Sequence, residues 1–529
     1  MGSVPVSPDW DEVSLGYNAY SILTTGKDEY GDFMPVMLKS FGDYKPALYS
    51  YIAVPSVELF GLSSFSVRLP SALLGIFSVI LTFFFVKELF KNTKLALISA
   101  FLLAISPLSI QFSRTAFEAN LGVSLNLLTV LFFLKGLKKP NLLMFSAFFS
   151  GLSLYSYQSE KIFAPLFMLF LILIYRKELL NLGKKYLFAF ILIGFLVATP
   201  MIFSILQNTD SLNRVRSTSF ITDSKFSPHT VERLALDREN DDYIGLILDN
   251  RKVAYIRQSV GAYLSHFDLN WLFVTGDLPR HHAPLMGLLY LWELPFLLIG
   301  IYALIFHHKT TKKTKILIFL WFLLAPIPAS ITNDIPHSVR TLNFLPTFQV
   351  FIALGLISSF LFTSNIKFKI ANLPASRQGG QIKYLICVIY FLFAILNISF
   401  YLNQYFVQQN FYNSREWQYG YQEVLDYIKN EKRNYKKIVV SNQVPMDQSY
   451  IFFLFYLKYP PIDYHKEKTT IENHDFDIFE FRKINWDSDK KLTNTLLIGS
   501  PEDFKENANV AKTIKYPSGE DAIKIVKPL

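Results

Sequence analysis

The sequence predicts an all-α polytopic membrane protein that carries a C-terminal α/β soluble domain. Three observations lead there. Hydrophobic residues make up 51% of the 529 positions and charged residues only 18%, with a mean hydropathy of +0.27. Such a chain cannot be wrapped in a polar surface, so lipid must act as solvent for much of it. The apolar residues fall in runs long enough to cross a bilayer, and the lysines gather in every second loop between those runs.

Ten spans are expected, at 67–89, 95–111, 121–137, 142–157, 161–175, 186–206, 285–306, 315–332, 341–363 and 383–406. A crossing needs roughly 17–25 apolar residues, so the fourth and fifth are short. One set of loops holds Lys87, Lys91 and Lys94, then Lys135, Lys138 and Lys139, then Arg176, Lys177, Lys184 and Lys185. It continues with Lys309, Lys312, Lys313 and Lys315, and ends with Lys367, Lys369, Arg377 and Lys383. The short alternate loops hold one cation each, Arg114, Lys161 and Arg340. The basic set therefore faces the cytoplasm.

That orientation divides the chain into an outer segment 1–66, a bundle 67–406 with a long outer loop near 207–284, and an outer tail 407–529. In the tail, Glu416 to Lys432 has helical spacing and KKIVVS (436–441) reads as a strand. Gln448 to Tyr459 reads as a helix, TLLIGS (495–500) as a second strand, and the end as a hairpin around Ser518-Gly519. Helix–strand alternation of this kind makes an α/β layer. Residues 1–66 need something to carry them outward, which points to a helix upstream and eleven in the intact protein.

The net charge of +10 does not indicate a nucleic-acid partner, because the lysines sit where membrane orientation requires them. The lone cysteine, Cys387, lies in an apolar run, which excludes a disulfide framework and a cysteine metal site. No Gly-rich phosphate loop, metal-binding His pair or Ser-centred elbow is present.

The candidate chemistry lies on the outer loops, where ionisable groups beside lipid are costly and so are functional candidates. PDWDEVSLGYNAY (8–20) places Asp11 and Glu12 before an interfacial helix. A carboxylate there acts as general base, holds a divalent cation, or simply favours a helix N-terminus. Lys45, in SFGDYKPALYSY, is either a point charge for a lipid phosphate or a snorkelling lysine. Arg68 opens the first span as an interface anchor. Arg114 and Glu118, spaced i, i+4, suit a helix-face ion pair. His337 and Arg340 stand three apart at a span entrance, which places both on one helix face able to contact phosphate. Glu293 reads as a packed, hydrogen-bonded core acid, and His281-His282 either reach a metal or substrate or, because adjacent rings point apart on most backbones, are first of all loop residues.

WDEVSLGYNAYSIL, GDYKPALYSYI, VRLPSALLG, FSRTAFEANL and PHSVRTLNFLP, in this order, resemble the GT-C membrane glycosyltransferases. The match is to their protein O-mannosyltransferase and aminoarabinose-transferase group, over roughly 8–410. The resemblance implies a GT-C fold, a polyprenyl-phosphate-linked sugar donor, and transfer on the non-cytoplasmic face of a prokaryotic plasma membrane. The acceptor class, whether protein, lipid or glycan, is left open. It implies that Asp11 is the catalytic carboxylate, acting directly or through a divalent cation, with Glu12 beside it and Glu118 as second outer-loop acid. Asp11 and Glu118 are then the candidate metal ligands. Lys45, Arg68, Arg114, His337 and Arg340 become the groups around the leaving lipid phosphate. The rival class, a transporter or flippase of lipid-linked sugars, calls for internal repeats and midplane charges, which the sequence lacks apart from Glu293.

Overall fold

In a computed structural model, residues 2–207, 227–365, 378–467 and 473–528 are described. Lys367, Lys369 and Arg377 of the expected cytoplasmic loops lie outside them. The chain divides into two compact units: residues 1–73, 112–117 and 403–529 form one, and 74–111 with 118–402 form the other.

In the first unit, Asp9 starts helix α1 (Trp10–Thr25) through a capping box with Glu12. Asp9 Oδ1 accepts the Glu12 N–H at 2.9 Å, and Glu12 Oε2 accepts the Asp9 N–H at 3.3 Å. Two orphan amides of the first turn are thereby satisfied. Gly26, with φ 71°, ends the helix in the left-handed conformation. The hairpin of β1 (Met37–Ser40) and β2 (Asp43–Pro46) follows, with Leu38 opposite Lys45. Its two-residue turn needs positive φ at both positions, and Phe41 and Gly42 supply φ 53° and 76°. Phe41 is thus held off the ordinary regions, and its ring packs against Trp10 and Tyr450. Helices α2 (Leu48–Phe60) and α3 (Ser64–Phe90) come next.

The tail supplies a five-stranded sheet in the order β4-β3-β5-β7-β6. It contains β3 (Lys437–Val440), β4 (Phe479–Phe481), β5 (Thr495–Gly499), β6 (Val510–Lys515) and β7 (Asp521–Val526). β3 runs parallel to β4 and β5, while β7 is antiparallel to β5 and β6. The predicted strands and the closing hairpin are all found. The helix expected from Glu416 begins only at Tyr421, behind Gly420 at φ 119°. The sheet shares one apolar core with the N-terminal segment: Val13, Tyr17, Ala53 and Val67 lie in it with Ile438, Phe453, Ile498 and Ile525. Gly16 marks the tightest approach, since a Cβ there would meet Val67 Cγ2 at 2.5 Å and Phe455 Cε2 at 2.8 Å.

The second unit is helical. Every expected span falls on a helix, but the lengths differ. Five helices among the described residues are long and apolar enough to cross: Ser64–Phe90 (which begins in the first unit), Ala119–Gly136, Lys184–Gln207, Leu342–Ser359 and Cys387–Tyr412. The span expected at 95–111 is not straight. It is the pair Thr93–Ile105 and Pro107–Arg114, bent by 57°. Ser106 is extended (φ −62°, ψ 128°), as the residue before a proline tends to be, and Pro107 restarts the helix. The remaining four are Leu143–Ser153, Glu160–Ile174, Leu294–Phe306 and Lys312–Leu324, of 11 to 15 residues. At about 1.5 Å per residue these cover roughly half to three quarters of a ~30 Å hydrocarbon core. Leu294–Phe306 and Thr347–Asn365 cross at reciprocal glycines. A Cβ on Gly300 would lie 1.8 Å from the Phe351 carbonyl oxygen, and one on Gly355 1.9 Å from that of Phe296. Backbones this close are typical of helix pairs packed in lipid.

Candidate functional site

The two adjacent acids at the start of α1 have separate fates. Glu12 is buried and held by Arg68, with Nε to Oε1 at 2.8 Å and Nη2 to Oε2 at 2.7 Å. Arg68 also donates to the carbonyls of Pro5 (3.1 Å) and Ser7 (2.8 Å), and its guanidinium lies over the Trp417 ring. Glu12 Oε1 further accepts the Ala116 N–H at 2.7 Å. One fully buried ion pair thus ties together residues 5–7, α1, the start of α3, the 112–117 segment and the tail. Arg68, expected as an interface anchor or a phosphate ligand, is 0% exposed and bound within this node. Its position in VRLP, one turn into α3, is what aims it inward.

Asp11, one position earlier, points the other way. Its side chain is 28% exposed and pairs with Lys45, whose own side chain is 9% exposed. The hairpin carries Lys45 into place, and its ammonium also lies 4.9 Å from the Phe41 ring centroid. Behind them sits Glu29, 1% exposed, with both carboxyl oxygens lacking a hydrogen-bond partner. Burial first, and the neighbouring Asp28 second, push its carboxyl well above the ordinary range, while Lys45 pulls it back. Arg114 ends the helix Pro107–Arg114; its guanidinium lies 4.9 Å from the Phe406 ring and 5.6 Å from the Tyr405 ring, and its Nε is buried without a hydrogen-bond partner. Asp11, Lys45 and Arg114 are the candidate residues of this unit that remain after the Glu12–Arg68 pair is set aside.

The single helix expected to carry both Arg114 and Glu118 is not found. They belong to two helices, and the backbone breaks before Glu118 occupies the N-cap position of Ala119–Gly136. His337 and Arg340 do not share a helix face either, because His337 is in irregular backbone and residues 338–341 form a turn ahead of the helical stretch. Arg340 is anchored there by Thr332 Oγ1 (2.7 Å) and the Asn333 carbonyl.

His337 instead joins a cluster in the second unit. His281 Nδ1 lies 2.9 Å from Asp277 Oδ2, and that oxygen also accepts from the Ser338 amide (2.7 Å) and hydroxyl (2.5 Å). The rings of His281 and His337 stand 4.9 Å apart. Among the described residues, Asp277, His281 and His337 are the group that brings metal-ligating atoms together, all within 4.8 Å. Neither Asp11 nor Glu118 belongs to it. Burial pushes the imidazoles of His281 and His337 below their ordinary range, the other ring adding to the effect at His337. Burial opposes the charge on Asp277, yet His281 and Ser338 hold its carboxyl below the usual range. His282 turns away, its Nδ1 against the Ala283 carbonyl, so the adjacent rings part as expected.

Glu293 is 0% exposed and accepts the Tyr290 N–H at 3.0 Å, a capping rather than a catalytic role. Sequence reasoning missed Asp9, Asp277 and Glu160. Glu160 is buried against two asparagines, Asn126 (2.8 Å) and Asn343 (2.5 Å). The signals were present as D-x-x-E before an apolar run, as D-x-x-x-H in GDLPRH, and as an acid opening an apolar span.

With this geometry in view, residues 44–203 match the family model described as dolichyl-phosphate-mannose-protein mannosyltransferase. No curated protein matches the chain by sequence. Among solved structures it is similar to ArnT from Cupriavidus metallidurans in the apo state, at 14% identity and a TM-score of 0.54, covering 99% of this chain and 94% of that one. ArnT bound to undecaprenyl phosphate gives 11% identity, the same TM-score, and 98% and 94% coverage. The oligosaccharyltransferase AglB from Archaeoglobus fulgidus, with an inhibitory peptide and a dolichol-phosphate, is similar at 13% identity and a TM-score of 0.44, over 82% of this chain and 58% of that one. The chain is an integral membrane protein with the fold of ArnT, and the GT-C resemblance read from its sequence holds.

Proposed function

We propose that the chain is a glycosyltransferase that moves a monosaccharide from a polyprenyl-phosphate-linked donor to an acceptor on the non-cytoplasmic face of a prokaryotic plasma membrane. The observation that carries this reading is the split between Asp11 and Glu12. Glu12 is consumed by the buried Arg68, whereas Asp11 is partly open to solvent beside a nearly buried lysine. A carboxylate beside a cation, on rigid elements, is the pairing that acceptor deprotonation and phosphate departure require.

In this reading Lys45 and Arg114 face the lipid phosphate, and Asp11 accepts the proton of the acceptor nucleophile. The nucleophile attacks the anomeric carbon from the face opposite the phosphate, the C–O bond to phosphate breaks, and configuration inverts. Lys45 links the two events. Bound to Asp11 in the free protein, it turns to the phosphodiester oxygens of the bound donor, where negative charge grows as the anomeric C–O bond breaks, which releases a carboxylate lone pair for the proton. Glu12 and Arg68 position this machinery without touching substrate. The fold shared with ArnT and the mannosyltransferase match over 44–203 support the donor class.

The test is release of free polyprenyl phosphate from a panel of lipid-linked sugars by the protein in nanodiscs, wild type against Asp11→Asn. Release by the wild type that is lost in the variant supports a transferase with Asp11 as its base. Binding of such lipids without cleavage moves the assignment to a lipid-linked-sugar transporter.

A further inference from the structure

We infer that Asp277, His281 and His337 form a divalent-cation site of the zinc class, with a remaining coordination position that takes water or a phosphate oxygen. The three residues come from two outer loops, and one potential ligand atom from each lies within 4.8 Å of the others. Two imidazoles and one carboxylate are a usual protein ligand set for zinc, and a set of three leaves a fourth, open position.

The surroundings are built to hold these groups. Ser338 fixes the Asp277 carboxylate through both its amide and its hydroxyl, the kind of outer support that orients a metal-bound carboxylate. The His337 backbone amide is fastened to His266 Nε2 at 3.1 Å, and His266 Nδ1 is committed to the Ala262 carbonyl at 2.7 Å. His266 is therefore a strut, not a fourth ligand. Gly276, at φ 69°, makes the turn that delivers Asp277, and a Cβ there would collide with His282 Nδ1 and the Met286 carbonyl oxygen, each at 2.6 Å.

The second, independent observation is His337 itself. Its Nδ1 is buried and has no hydrogen-bond partner. A buried ring nitrogen left without a partner is costly, and a cation bound between His337 and the Asp277–His281 pair removes that cost. The bound set, one carboxylate and two neutral imidazoles around a divalent ion, carries a net charge of +1. Its open position therefore favours an oxygen ligand that is anionic or easily ionised. This site stands apart from the pairing of Asp11 with Lys45, and its existence does not depend on the transferase reading.

The experiment uses the full chain in nanodiscs, stripped with chelator and titrated with Zn2+ alone by calorimetry, with bound metal counted by mass spectrometry. One ion per chain is expected, with affinity lowered at least about 100-fold in Asp277→Asn and in His337→Gln and unchanged in the neighbouring control His282→Gln. Absence of stoichiometric Zn2+ in the wild type overturns the proposal, as does equal affinity in all three variants. Should the two ligand variants fail to fold, X-ray absorption of the Zn2+-loaded wild type decides: scattering from two imidazoles supports the site, and its absence overturns it. None of these readouts involves a sugar donor, so they fail or succeed separately from the test of Asp11.

Discussion

Arg68 holds Glu12 by two parallel hydrogen bonds of 2.8 and 2.7 Å, and solvent reaches neither group appreciably. Each carboxylate oxygen also accepts a backbone N–H, from Asp9 and Ala116, and Arg68 donates to the carbonyls of Pro5 and Ser7. A buried pair of this kind is stabilising only while it is complete, because either partner alone is an uncompensated charge out of water.

Glu12→Gln keeps the shape but leaves Arg68 charged and unpaired. It should lower stability by about 3–5 kcal/mol, read as a large drop in melting temperature in detergent. Asp11→Asn, at a partly exposed carboxylate, should melt close to wild type. Equal melting of all three would show that the pair does not organise the unit.

For catalysis the order reverses. Asp11→Asn should reduce turnover by roughly 10²–10⁴-fold, the usual contribution of a positioned base. Lys45→Ala should raise the KM for the lipid-linked donor as well as lower kcat, since in the proposed reaction Lys45 meets the phosphate in both ground and transition states. A Lys45 variant with unchanged KM would remove the phosphate from its role.

The pH response reports Glu29. Because the folded protein keeps the Glu29 proton to higher pH than the unfolded chain does, its contribution to stability is complete below 4.5, its ordinary value, and is lost as pH rises through the raised folded value. Glu29→Gln removes that loss. The melting temperature of the variant should therefore gain on wild type as pH increases from 4.5 upward, in paired thermal melts across a buffer series. A constant difference would mean that Glu29 is not titrating against burial.

Gly300→Val tests the helix crossing in the second unit. The added side chain has backbone, not a yielding side chain, in its way at Phe351. A loss of at least about 1–3 kcal/mol is expected, measurable as reduced monodisperse yield and melting temperature, whereas Gly261→Ala, inside a helix with nothing within 4 Å of its Cβ, should cost nothing and slightly stabilise.

What the sequence made legible follows from the range of the forces involved. The apolar runs and the tail strands were visible because periodicity and hydropathy are local properties, and KKIVVS and TLLIGS lie on β3 and β5. The break at Ser106 was available from Pro107 but was overridden by the hydropathy of the run. Asp11 and Glu12 looked alike in sequence. Only long-range packing distinguishes them, because Glu12's partner comes from 56 residues away. His281 and His337 were read separately as a loop residue and a phosphate ligand, since nothing in the sequence tells that a turn brings their rings together. Glu29 gave no signal beyond being an acid near glycines, because burial is what makes it unusual, and the spacing of Asp277 from His281 was legible without showing that both side chains are buried.

The core that unites Val13, Tyr17 and Val67 with Ile438, Ile498 and Ile525 sets a timetable for biogenesis. The helix that bears Asp11 leaves the ribosome before the membrane bundle and the strands that cover it leave after, at about 5–20 residues per second. For tens of seconds its apolar face has no cover. Chaperones or the bilayer surface must shelter it in that interval, and an arrested or C-terminally truncated product would present this face to the cell's proteolytic quality control.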